Sequence, residues 1–365
     1  MPHNITNTNL VMFAEKNLPE ALSQEELDNY LERGWYRTGQ SMFTTHFLMF
    51  GYKKFYSAIW VRLPLTGFSF SKSNRKLLRK NCSRFRFIIR EATLSQEAEA
   101  LYQLYCANFP ARLSPTLQES LLEGNRESIF RTMEFLAYDG AQLVAASYFD
   151  LGKVSISSIL GIFHPDYAQY SLGYFTMLME IAYGMENGFQ YFYPGYVVPG
   201  YSRFDYKIRI GPIEYFDMQK RGWLPYAQCS FEQTPFSKIQ QNLQHLSALL
   251  HQAGIPNELR FNGLLQINLL YDIQHLDYPL MLHLKPDDNY LFGEIQEIIV
   301  FDPRTDLFQH LACYNGNGFY LFELDEIPDE FDEYFLSGTP IQVSEIRTTW
   351  NNISDIAAAL KQAGF

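Results

Sequence analysis

Cysteine is scarce in this 365-residue chain, with four residues at 82, 106, 229 and 313. No two of them stand at the spacing of a zinc site or a redox dithiol, so the sequence predicts reduced core or surface thiols and no metal. No run approaches the roughly 18 apolar residues that span a bilayer. The opening MPHNITNTNL has neither the basic nor the apolar region of a signal peptide. A cytoplasmic protein with no membrane partner is therefore expected. Other chemistries lack their motifs. There is no HExxH, and no serine or cysteine nucleophile constellation. The loop that cradles coenzyme A, glutamine or arginine then x-x-glycine-x-glycine or alanine, is not met, because Gln169-Tyr170-Ser171-Leu172-Gly173 has its glycine one place late. No cofactor is expected.

Acidic residues are missing from one long stretch. Between Arg33 and Arg90 there is no Asp or Glu, while Lys and Arg number 13: Arg33, Arg37, Lys53, Lys54, Arg62, Lys72, Arg75, Lys76, Arg79, Lys80, Arg84, Arg86 and Arg90. That leaves 16 of the 29 basic residues to face all 40 acidic ones elsewhere, within a net charge of −11. A basic segment on an otherwise repelling surface is the electrostatic footprint of a polyanion site. The same run can also be read as a solvated basic face. Acidic clusters at 323–326 and 329–333 read as loop surface, or as a means to hold off a wrong polyanion or bind a basic partner.

What is present is a globular chain, 47% apolar with 30 Phe and 25 Tyr, long enough for two or three domains. Ser23 with Glu26 forms a capping box before a short helix ending at Gly34. Residues 55–61 read as a strand, and a helix over 72–79 puts Arg75, Arg79 and Lys72 on one face. Thr93 and Ser95 announce a helix, and Ser114-Pro115 opens another that Gly124 closes. Residues 133–138 and 143–149 make a hairpin about Asp139-Gly140-Ala141, followed by a strand at 154–163 that His164-Pro165-Asp166 stops. Ser171 is placed to cap a helix with apolar positions Leu172, Phe175, Met179, Ala182 and Met185, Gly188 fits the left-handed position beyond it, and Phe189 to Tyr193 is a buried strand. Thr234-Pro235 starts a further helix, 264–348 is mostly strand, and Ile353, Ile356 and Leu360 mark a last helix.

The central stretch carries a resemblance. Ser171-Leu172-Gly173 before a helix, Tyr193-Pro194-Gly195-Tyr196 at a strand end and Phe204-Asp205-Tyr206-Lys207 resemble the C-terminal half of the arginyl-tRNA protein transferases and their bacterial leucyl relatives. A second block, Trp35 to Gly39, Val61-Arg62-Leu63-Pro64 and Phe70 to Lys76, is similar to that family's arginine-rich segment. The blocks span residues 33–217 in the family's order. Two departures stand out: the family's N-terminal cysteine clusters are missing, and its strand-end leucine is Pro194.

Three antiparallel strands, a helix and a further strand give the plan of a GNAT-type acyltransferase, and the resemblance implies the same α+β (α/β) fold. The expected organisation is an N-terminal basic block at 1–92, a GNAT-like catalytic domain at 93–228 and a C-terminal α+β extension of no assigned role at 229–365. The resemblance implies transfer of arginine or leucine from charged tRNA to the α-amino group of a protein N-terminus, with aminoacyl-tRNA and protein N-termini as partners and no DNA. The ester is already activated, so the site has to position an amine and stabilise an oxyanion. Tyr193, Tyr196, Tyr206 and His164 are the candidate catalytic residues. Arg62, Lys72, Arg75, Arg79, Ser171, Gly173 and Lys207 are the candidates for binding aminoacyl-tRNA. Each has a bland alternative: a packed aromatic core with one snorkelling lysine, a turn histidine, a plain helix cap. A catalytically degenerate RNA- or protein-binding module and a coenzyme A-dependent N-acyltransferase also remain open at this point.

Overall fold

A hydroxyl side chain opens four helices: Ser23, Ser71, Ser95 and Thr116 each accept the N–H three residues on, and Glu26 returns the bond to Ser23 to complete the capping box. The structure, a computed structural model, describes residues 12–50, 54–109, 113–265, 269, 275–285, 294–315 and 340–365. Lys53 and the acidic clusters at 323–326 and 329–333 lie outside the described residues.

The chain runs β1 (Ala14–Asn17), α1 (Gln24–Glu32), β2 (Tyr36–Thr38), β3 (Ser41–Thr45), β4 (Phe47–Phe50), β5 (Lys54–Ser57), β6 (Ile59–Pro64), α2 (Lys72–Arg84) and β7 (Arg86–Glu91). It continues with α3 (Gln96–Ala107), α4 (Leu117–Leu122), β8 (Thr132–Asp139), β9 (Gln142–Leu151), β10 (Ser155–Phe163), α5 (Leu172–Glu186) and β11 (Tyr191–Val197). Then follow β12 (Glu214–Asp217), β13 (Gly222–Pro225), α6 (Pro235–Gln252), β14 (Asn257–Phe261), β15 (Leu280–Leu284), β16 (Gln296–Asp302), β17 (Leu307–Asn315), β18 (Ile341–Trp350) and α7 (Ile353–Gln362). The expected run at 55–61 is broken at Ala58. Its two halves belong to different compact units, one of Lys16–Thr44 with Ala58–Cys229, the other of the described residues in 1–15, 45–57 and 230–365.

In the first unit eight strands form one sheet in the order β13-β12-β6-β11-β10-β9-β8-β7. From β7 to β10 neighbours are antiparallel, β11 then joins β10 in parallel, and β6 pairs antiparallel to β11. This is the GNAT-type arrangement, with α5 as the crossover between the parallel pair. β6 and β7, from the block expected at 1–92, lie in one sheet with strands from the block expected at 93–228. One apolar cluster joins Phe175, Leu178 and Ile181 of α5 to Phe135, Ile156 and Phe192. A second packs Leu101, Tyr102, Leu117 and Leu121 of α3 and α4 against Leu136 and Tyr148. A third sets Leu27 and Leu31 of α1 against Met42, Phe130 and Tyr193.

In the second unit β14 to β18 form an antiparallel five-stranded sheet in chain order, and Ile239, Leu243, Leu246 and Leu250 bury one face of α6. The buried carboxylate of Asp277 accepts the Phe13 and Ala14 N–H groups, which ties residues 13–14 into this unit.

A buried ion pair braces the first unit. Arg37 donates to Asp150 at 2.7 Å, to the Gly39 carbonyl at 2.7 Å and to the Thr132 hydroxyl at 2.9 Å. Both side chains are sealed from solvent. Removing one partner leaves an uncompensated buried charge, which costs about 3–5 kcal/mol. Asp150→Ala is therefore expected to lose about that much in urea unfolding, and Arg37→Met with Asp150→Leu to lose clearly less. A loss under about 1 kcal/mol in the single variant would contradict this bracing role.

Candidate active site

β10 and β11 pair over three positions only, Ser155 with Tyr191, Ile156 with Phe192 and Ser157 with Tyr193, although β10 runs on to Phe163 and β11 to Val197. The cause is local. Pro194 has no N–H to continue a ladder, and Gly195 takes a left-handed φ of 93° that few other residues tolerate. The register of β11 against β6 slips between Phe192 and Gly195, and that of β10 against β9 slips between Ser158 and Leu160. The two strands part, and a cavity of about 710 Å³ fills the gap.

The first turn of α5 forms one wall, with Ser171, Leu172 and Gly173 lining the space. A helix leaves its first N–H groups without an intrahelical carbonyl, so those of Leu172 and Gly173 are available to an oxyanion, favoured by the helix dipole. Ser171 does not cap this helix as expected. A 3-10 turn over Pro165–Tyr170 runs into α5, Ser171 sits at the junction with φ 53°, and its side chain makes no capping bond. A side chain at 173 would come within 3.2 Å of the Phe163 ring, so glycine keeps this turn close to β10.

The cavity wall includes a buried lysine and a buried carboxyl. Lys207, 9% exposed, donates to the Tyr196 carbonyl at 3.0 Å, and burial brings its ammonium down to about 7. Glu180, on α5 and 1% exposed, is pushed up to about 8 by burial, against the opposing pull of the Ser147 and Ser158 hydroxyls. Its Oε2 has no hydrogen-bond partner. Sequence reading did not single out Glu180. The available signal was a lone carboxylate inside an otherwise apolar helix, since Glu is almost never fully buried without a partner.

The expected site residues divide. Tyr196, Tyr206, Lys207, Ser171 and Gly173 all line the cavity. Tyr196 packs between Trp60 and Phe204, with burial raising its phenol, and burial also pushes Tyr206 up to about 12. Tyr193 lies elsewhere. It is buried on the α1 side, its hydroxyl donating to Glu32 at 3.3 Å and its ring against Trp223, because neighbouring strand residues face opposite ways. Arg62 joins it there. Its guanidinium pairs with Glu32 and with Glu214 at 2.7 Å and lies over the rings of Tyr191 and Trp223, which leaves no free face for a phosphate. His164 is a turn residue outside the cavity, its Nδ1 accepting the Asp166 N–H at 3.3 Å. Lys207 is enclosed in the cavity rather than presented on the surface.

Lys72, Arg75 and Arg79 lie on the exposed face of α2 with Lys76 and Lys80. Of the α2 cations only Arg84 has a carboxylate partner among the described residues, Asp139. The opposite face of α2 is fixed by Asn74, whose side chain reaches the Arg209 and Ile210 carbonyls and accepts the hydroxyl of Tyr174, a cavity-lining residue. This basic stripe, which has no other carboxylate partner among the described residues, therefore runs beside the cavity. Among the described residues no group of three His, Cys, Asp or Glu is placed to hold a metal ion, and no helix is long and apolar enough to cross a membrane.

Residues 97–217, which contain most of the cavity, match the family model described as arginine-tRNA-protein transferase, C terminus. An aspartate/glutamate leucyltransferase of Leptospira interrogans is 33% identical over 198 residues, covering 52% of this chain and 73% of that protein. The chain belongs to this aminoacyl-tRNA protein transferase family. A second aspartate/glutamate leucyltransferase, from Helicobacter hepaticus, is 30% identical over 192 residues, covering 50% of this chain and 76% of the relative. Among solved structures, a GCN5-related N-acetyltransferase-like protein from Streptococcus suis superposes with a TM-score of 0.29 at 12% identity, over 44% of this chain and 59% of that one.

The Glu180 carboxyl makes the fold pH-sensitive in a defined direction. With its folded pKa near 8 against an ordinary 4.5, the native state holds more protons than the unfolded chain between those values. Its contribution to stability is present below about 4.5 and is lost as pH rises through about 8. Glu180→Gln is expected to match the parent within about 1 kcal/mol near pH 5 and to exceed it by a few kcal/mol near pH 8.5, measured by urea unfolding. An equal difference at both pH values would contradict the buried, unpaired placement of this carboxyl.

Proposed function

We propose that this protein moves leucine from charged tRNA to the α-amino group of proteins that begin with aspartate or glutamate. The observation that carries the reading is the cavity between the parted strands, closed at one end by the first turn of α5 and bordered by the basic face of α2. The leucyl donor is supported by the lining, in which Phe43, Tyr105, Phe109, Leu160, Phe163 and Met177 offer apolar surface. An acidic acceptor is supported by Arg203, a lining guanidinium that is exposed and stacked on Phe109 at 4.4 Å.

In this reading the tRNA backbone lies along Lys72, Arg75, Lys76, Arg79 and Lys80, contacts that position without reading bases. The 3′ end then enters the cavity with its ester carbonyl towards the Leu172 and Gly173 N–H groups. Holding amine and ester together supplies most of the acceleration, because the ester is an activated acyl donor. The two N–H groups stabilise the oxyanion as it forms. Tyr196 and Tyr206, whose phenols are protonated at neutral pH, serve as donors towards the leaving 3′ oxygen.

The test pairs leucyl- and arginyl-tRNA with peptides beginning in Asp, Glu, Arg or Ala, with a working family member as control. Leucine transfer to the acidic peptides is the expected result. Arg75→Glu with Arg79→Glu should weaken tRNA binding and flatten its log–log salt dependence by roughly two units, one for each lost phosphate contact, with the circular dichroism and melting of the parent retained. No transfer under any pairing overturns the reading. A folded double variant that binds tRNA with the parent's affinity and salt slope makes α2 a solvated face.

A further inference from the structure

We propose that Glu180 receives the α-ammonium group of the incoming protein N-terminus and takes from it the proton that must leave before the nitrogen attacks the ester. The role rests on the transferase reading above, which identifies the reaction but not its base.

The cavity narrows the choice. Among the described residues its lining holds no histidine and no cysteine, so the groups there able to take a proton are Glu180, Lys207 and the tyrosines at 36, 105, 174, 196 and 206. Burial raises the pKa of each of those phenols, which makes them hydrogen-bond donors rather than bases. Lys207 donates to the Tyr196 carbonyl, and taking the proton would give it a charge that burial already disfavours, beside the reacting amine. Glu180 is the sole carboxyl of the lining among the described residues, and its Oε2 is buried without a partner. A buried acceptor left without a hydrogen bond is costly unless a ligand completes it. The ligand that completes a carboxylate is a cation, and the acceptor's ammonium is the cation whose proton the reaction has to remove.

Placement agrees. Side chains on a helix lean towards its N-terminus, and Glu180 follows Thr176 and Gly173 by four and seven residues, so all three share the side of α5 that lines the cavity. An amine held by Glu180 therefore lies on the approach to an ester carbonyl held by the first turn of α5. The groups around the carboxyl are Ser147 of β9 and Ser158 of β10, with the phenols of Tyr36 and Tyr206 close enough to feel its charge. A free α-amino group has a pKa of about 8, close to that of the carboxyl, so the proton moves between them at little cost.

The step balances. The ammonium gives one proton to the Glu180 carboxylate, and the freed lone pair forms the N–C bond at the ester carbon. The resulting oxyanion rests on the two N–H groups. Its collapse breaks the C–O bond, and a second nitrogen proton leaves with the 3′ oxygen as a hydroxyl. Glu180 then returns its proton to solvent, so one amide, one free 3′-hydroxyl and one proton result.

The experiment compares the full-length parent with Glu180→Gln in single-turnover transfer of leucine to an Asp-initiated peptide across pH, with leucyl-tRNA affinity measured separately. Glu180→Gln is expected to lower transfer by about 100-fold or more while leaving leucyl-tRNA affinity within about twofold. The parent's rate should pass through a maximum and fall on the alkaline side. The variant's rate should rise with pH and then level as the free amine deprotonates, a change that a merely structural role would not produce. A variant with the parent's rate and profile overturns the proposal. So does a loss confined to leucyl-tRNA affinity that disappears with N-acetyl-leucyl-tRNA, which would give the carboxyl to the donor's ammonium. A parent that transfers nothing, beside a working control, overturns the transferase reading and this role with it.

Discussion

The site depends on one interruption of a hydrogen-bonded ladder. In a continuous parallel sheet β10 and β11 would satisfy each other's backbone and leave no room between them. Here Pro194 withholds a donor and Gly195 turns the chain at a left-handed φ. After three paired positions the strands separate into a cavity rather than a core. The neighbouring structure compensates. Lys207 donates to the Tyr196 carbonyl, Trp60 and Phe204 hold the Tyr196 ring, and the buried Arg37–Asp150 pair links β2 to β9.

The same opening explains the buried charges. Glu180 and Lys207 lie where apolar residues would stabilise the fold more, and burial moves each towards its neutral form. Such groups are retained where function requires them, at the expense of stability. The basic face of α2 obeys the opposite rule. Its cations are exposed and add little to stability, and in the proposed reading their effect is the long-range field that a polyanion meets before it reaches the cavity.

Much of this was legible in the sequence because the signals were local. Serine caps, the Asp139-Gly140 turn, Gly188 and the periodicity of α5 placed the elements that bear the site. Tyr193 and Arg62 were misplaced for a non-local reason. Which face of β11 looks into the cavity depends on the register slip between Phe192 and Gly195, and whether an arginine is free depends on Glu32 and Glu214, which are distant in sequence. The break at Ala58 was hidden because both halves of 55–61 are strand. Glu180 was hidden by the apolar pattern around it, although a lone acid in such a helix is itself a signal. The family resemblance joined what local patterns could not, bringing Ser171-Gly173, Tyr196 and Tyr206-Lys207 to one place.

The central claim is that the gap between β10 and β11 is where the aminoacyl end is held. The direct measurement is a crystal structure with a non-hydrolysable mimic in which leucine is joined by an amide to the 3′ position of adenosine. The leucyl group is expected between Ser158–Gly161 of β10 and Pro194–Tyr196 of β11, with its carbonyl oxygen on the Leu172 and Gly173 N–H groups. A mimic bound elsewhere with the gap left empty, or bound with its carbonyl turned away from the first turn of α5, would contradict the account.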